Sequence, residues 1–158
     1  NKSIKKLIEE TLKDPIVKIK RSLLGQWEDC YRNMKMLSVW NILPNSNLTV
    51  KYFSIDLKSG SKNCEGAKRG VEKFKMSEGS FKIIIPEAKD RVKDKEAYFL
   101  DFDLKNSPQG PLKYFNLVKM GEEGLIFSLD NRGGFPTNKD YRLREIYKRN
   151  RRVWTREK

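Results

Sequence analysis

Tyr98-Phe99-Leu100-Asp101-Phe102-Asp103-Leu104 alternates along its length. In an extended chain Tyr98, Leu100, Phe102 and Leu104 share one face, and Phe99, Asp101 and Asp103 share the other. Leu125-Ile126-Phe127-Ser128-Leu129-Asp130 behaves alike, with Leu125, Phe127 and Leu129 opposing Ile126, Ser128 and Asp130. Met120-Gly121-Glu122-Glu123-Gly124 before it predicts a short hairpin turn from a preceding strand. Working outward, short β-type runs separated by Gly, Pro, Asn, Asp or Lys-rich breaks fall near 25–33, 48–58, 62–75, 80–85, 97–104, 113–120, 123–130 and 141–148. No helix fits between them, so neighbouring strands pair antiparallel. The segment 33–47 reads as the longest connection. Its Met34, Met36, Leu37, Val39, Trp40, Ile42 and Leu43 are too apolar to lie bare in water, so it is expected to fold over an opening or complete one end of the core.

The first 24 residues carry a different period. Ile4, Leu7, Ile8 and Leu12 recur at helical spacing, with Lys5, Lys6, Glu9 and Glu10 on the other face. Asp14-Pro15 ends that helix and is suited to cap a second, whose apolar face is Ile16, Val17, Ile19, Leu23 and Leu24. A basic amphipathic helix lies on a membrane surface or packs on its own domain, the second being commoner. The organisation expected is therefore a helical segment at 1–24, a β-barrel at 25–149 and a basic C-terminal tail at 150–158.

At 158 residues the chain fits one domain, and 37% apolar with 11% aromatic residues excludes a disordered polymer. No apolar run approaches the roughly 18 residues of a spanning helix. The absence of histidine removes Ser/His/Asp and Cys/His nucleophile systems and His-ligated metals. The net charge is +13. Residues 1–24 hold seven basic against three acidic groups and residues 139–158 nine against three, leaving 18 against 15 for the body. Such a distribution suits an anion-attracting surface better than a nucleic-acid site, which carries its basic stripe on central elements among exposed aromatics.

Asp101 and Asp103 form the one pair of carboxylates with spacing suited to acid/base work, but alternating Asp is also the ordinary outer face of a strand. Arg132-Gly133-Gly134 lacks the pattern of a phosphate loop. No enzyme activity, cofactor or metal is expected. Cys30 and Cys64 allow one disulfide or two free thiols. Their polar strand surroundings favour pairing, which would add about 4 kcal/mol on the chain-entropy account and implies an oxidising compartment. With Asn1 in place of Met, an upstream signal or lipoprotein peptide is expected to have been removed, placing the protein in the periplasm, the cell envelope or the secreted fraction.

Leu24-Gly25-Gln26-Trp27 enters the first run, and this Gly-x-Trp resembles the first-strand motif of the lipocalin-like (calycin) β-barrels, in particular small bacterial domains of that type. Gly124 to Asp130, followed by Gly133-Gly134-Phe135-Pro136 and Tyr141-Arg142, resembles their closing hairpin. The resemblance covers about residues 22–149 and implies an eight-stranded antiparallel up-and-down barrel, all-β with an N-terminal helix. It further implies that Trp27 plugs the closed end and that an arginine of the last strand, Arg142 or Arg144, packs across its ring. Trp27-x-x-Cys30 with Cys64 resembles the single disulfide some of these domains carry. Inward-facing candidates to line a ligand site are Trp40, Phe53, Ile55, Phe81, Ile83, Tyr98, Leu100, Phe102, Phe115, Leu117 and Phe127. An eight-stranded barrel is filled by such side chains or holds one small ligand.

The function so implied is a monomeric, non-enzymatic protein binding a small hydrophobic molecule. The alternative is a secreted or envelope-associated interaction module. In a closed barrel the first and last strands meet, so the two basic ends converge into a patch suited to a polyanion, an anionic lipid surface or an acidic protein.

Overall fold

The computed structural model describes residues 2–31, 35–56, 68–90, 92–131 and 152–156. Two helices, α1 (Lys2–Lys13) and α2 (Pro15–Leu23), lead into β1 (Gly25–Tyr31). The break between them forms as the sequence suggests: the Asp14 carboxylate accepts from the Ile16 N–H at 2.9 Å and Pro15 occupies the first turn of α2. The remaining strands are β2 (Met36–Ile42), β3 (Asn47–Asp56), β4 (Lys68–Ile84), β5 (Tyr98–Ser107), β6 (Gly110–Met120), β7 (Leu125–Asn131) and β8 (Arg152–Arg156). Each pairs antiparallel with its sequence neighbours, and β8 returns to β1, closing an eight-stranded up-and-down barrel. This is the expected fold class, and it is compatible with the lipocalin-like architecture.

Three elements differ from the expected runs. The segment read as a long apolar connection contains β2, buried on both faces: Trp40 and Ile42 join the inner core, while Leu37 and Val39 join Ile55 in an outer cluster. The described parts of the expected runs at 62–75 and 80–85 belong to one strand, β4, which runs unbroken from Lys68 to Ile84; 62–67 lie outside the described residues. Val50 pairs with Ser77 but Tyr52 with Lys73, so extra residues bulge out of β4 around Phe74, which sits at φ 64°. Asn106 of β5 holds the strand together there, accepting from the Glu78 N–H (2.8 Å) and donating to the Met76 carbonyl (3.1 Å). Finally, the closing strand is Arg152–Arg156, inside the segment expected to be a solvated tail. It is held because Trp154 is almost wholly buried among the core aromatics. The expected strand at 141–148 lies outside the described residues.

β5 follows its alternation. Tyr98, Leu100, Phe102 and Leu104 all point inward, and the Met120–Leu125 turn is closed by a Gly121 N–H to Gly124 carbonyl bond of 2.8 Å. A Cβ on Gly124, at φ 142°, would fall 2.0 Å from the Trp154 carbonyl, so glycine is required for β8 to lie beside this turn. The connection from Ile84 to Tyr98 covers the outside of the barrel, where Val92 and Ala97 pack on Phe99, Phe115 and Leu117.

Candidate functional site

The barrel interior is built in levels, beginning at the base where α2 enters. Leu23 and Ile19 of α2 lean on the core, and the Trp27 indole N–H donates to the Leu23 carbonyl at 2.8 Å. A guanidinium does lie across the Trp27 ring, 3.8 Å from its centroid, but it belongs to Arg156. Arg142 and Arg144 lie outside the described residues. Arg156 also donates to the carbonyls of Ser22 and Leu24, so one side chain stacks on the plug and caps the C-terminus of α2. Gly25 makes room for it: a Cβ there would meet Arg156 Nη1 at 3.1 Å, on a residue already at φ 106°. Both residues of the Gly-x-Trp motif are thus accounted for.

Above the plug, aromatic rings cross the barrel. Trp154 lies 4.5 Å from Trp40 and 4.6 Å from Phe127, centroid to centroid, and 5.7 Å from Phe102. Phe102 in turn touches Trp40 and Phe81. Together with Ile83, Tyr98 and Leu100, these are the candidate lining residues that the fold does bring into one inner cluster. The other four candidates face outward. Phe53 and Ile55 sit with Leu37, Val39 and Cys30, and Phe115 and Leu117 sit with Phe99. The pairing of Leu100 with Asn116 sets this parity: Leu100 is inward, so Asn116 is inward and its two apolar neighbours are not.

On the loop side of the aromatic level the interior becomes polar. Ser38 and Asp29 are directly paired and fully buried, one inward step beyond Trp40 and Trp27. The Trp40 indole donates to the Ser38 hydroxyl at 3.0 Å. Ser77 donates to the Asn106 carbonyl (3.1 Å), so the Tyr52 hydroxyl, 2.8 Å away, donates to Ser77. Asn116, opposite Leu100 and so between the Tyr98 and Phe102 steps of β5, is also fully buried, yet neither atom of its amide has a hydrogen-bond partner among the described residues. The Tyr98 hydroxyl and the Trp154 indole N–H are likewise buried without one. Burial pushes the Tyr98 and Tyr52 phenols above their ordinary pKa. Sequence reasoning missed Asn116; its one signal was a polar residue between two apolar ones.

A cavity of about 290 Å³ lies at the base, against α2, lined by Lys18, Ile19, Ser22, Glu96, Tyr98 and Met120. Asp101 and Asp103 face outward. Asp101 pairs with Lys82 and Asp103 with Lys113 across neighbouring strands, and partial burial raises the Asp101 carboxyl. Cys30 ends near β1's outer cluster; Cys64 lies outside the described residues. No described helix is long and apolar enough to cross a membrane. Comparison of the chain with protein-family models, with curated proteins and with solved structures finds no match.

Proposed function

We propose that the chain is a non-catalytic, lipocalin-like binding protein that holds one small molecule inside the barrel, beside Asn116 at the aromatic level. The observation that carries this reading is the Asn116 amide, fully buried, pointing inward and unpartnered among the described residues. Leaving such a group unsatisfied costs about 1–3 kcal/mol, a cost that disappears when a guest supplies the missing bonds. The ligand is then small and amphipathic. Its apolar part rests on the Trp40, Phe127 and Trp154 rings, and a hydrogen-bonding group faces Asn116.

The experiment is a melting-shift screen of fatty acids, retinoid-like probes and short amides, run on the wild type and on Asn116→Leu. The expected result is a raised melting temperature with at least one class in the wild type. Asn116→Leu should be about 1 kcal/mol more stable at rest and show no shift, because it removes an orphan amide and the ligand's partner together. Flat wild-type traces beside a destabilised Asn116→Leu would overturn the reading.

A secreted or envelope location belongs to the same reading. Its support is that Cys30 is not a free thiol and the chain has one other cysteine, Cys64. A thiol count on the unreduced protein should find none free; two reactive thiols would remove the oxidising compartment from the proposal.

A further inference from the structure

The side of α1 that a core-packed helix would bury stands in solvent. Ile4, Leu7 and Ile8 are each more than half exposed, at 57%, 62% and 54%, and Leu12 is 38% exposed. These residues follow one another at helical spacing, so they form a single stripe. Thr11 falls within that stripe, and its hydroxyl is turned back onto the Leu7 carbonyl at 2.8 Å. The one polar group in the stripe is therefore satisfied within the helix. α1 is joined to α2 through Asp14, and the Ile16 of α2 is also exposed. Over residues 2–23 the chain has seven basic groups against three acidic ones, and residues 139–158, which contain the closing strand, have nine against three, while the body between them is nearly balanced.

We infer that α1 is a docking helix for an anionic lipid surface, lying in the headgroup region with Ile4, Leu7, Ile8 and Leu12 turned toward the acyl chains. Charge complementarity selects this occupant. An amphipathic helix with an apolar stripe and a lysine-bearing polar face binds where apolar burial and attraction to anionic headgroups act together. The inference is independent of the barrel ligand, because α1 contributes nothing to the inner cluster.

The test uses the full chain with vesicles of pure phosphatidylcholine and vesicles containing phosphatidylglycerol, in a sedimentation assay. Partitioning onto the anionic vesicles is expected to be at least about tenfold stronger. It should weaken but persist in salt of about 1 M, where charges are screened beyond about 3 Å. Leu7→Glu/Ile8→Glu should reduce it by about tenfold or more, with the melting temperature unchanged since neither residue is in the core. Equal binding to both vesicles, complete loss in salt with no effect of the double variant, or no binding at all would each overturn the proposal. So would a dimer in sedimentation velocity that the double variant dissolves, since the stripe would then belong to a second copy.

Discussion

Arg156 makes three contacts with one guanidinium, one to a ring and two to carbonyls. Its flat face covers Trp27 and its N–H groups reach the last carbonyls of α2. A cation over an indole contributes about 0.5–2 kcal/mol and a charged hydrogen bond about 1.5–3 kcal/mol. Arg156→Ala is expected to lower stability by about 2–3 kcal/mol in denaturant unfolding. Arg156→Lys should recover less than half of that, since an ammonium cannot stack and fork at once. Tyr98 represents the opposite case, a buried hydroxyl that contributes nothing by hydrogen bonding among the described residues. Tyr98→Phe should leave stability at neutral pH unchanged or slightly raised. At alkaline pH it should matter more. The unfolded chain releases tyrosine protons near pH 10, while burial holds the folded Tyr98 phenol protonated. The unfolded state then binds fewer protons, so stability is intact below about pH 10 and falls above it, by up to about 1.4 kcal/mol per pH unit for each such group. Unfolding curves across this range should be shallower for Tyr98→Phe than for the wild type.

Among the elements, those with one solvated face were legible in the sequence. In β5 the acids mark the outside, and in β7 the same alternation runs up to a glycine-flanked turn, so both appear where the pattern puts them. β2 carries no such mark, because Leu37 and Val39 are buried on the outside just as Trp40 and Ile42 are on the inside. β6 was placed correctly but with its faces reversed. Hydrophobicity turns Phe115 and Leu117 inward, whereas registration against β5 turns Asn116 inward and leaves those two to the covering connection. Pairing register is a property of two strands, and a single strand's composition does not contain it. The same limit hid the arginine on Trp27. Its chemistry could be foreseen, but its residue depended on which late segment closes the barrel. That segment, β8, is short and is fixed mainly by Trp154, so Trp154→Ala is expected to cost about 3–5 kcal/mol in chemical denaturation.

At the scale of the molecule, the design is a cylinder closed by two pairings of its last strand, with β7 on one side and β1 on the other. Every other strand pair is a neighbour in sequence, but β1 and β8 join residues near the two ends of the chain. The polar interior on the loop side and the helices at the base thus depend on a seam that spans the whole polypeptide. Until Arg152–Arg156 is available, β1 and β7 are both bare edges and the aromatic level lacks its central ring. In synthesis from β1 onward the chain therefore carries seven described strands before it can seal them. Sealing is then one step, in which Arg152–Arg156 takes up both edges together.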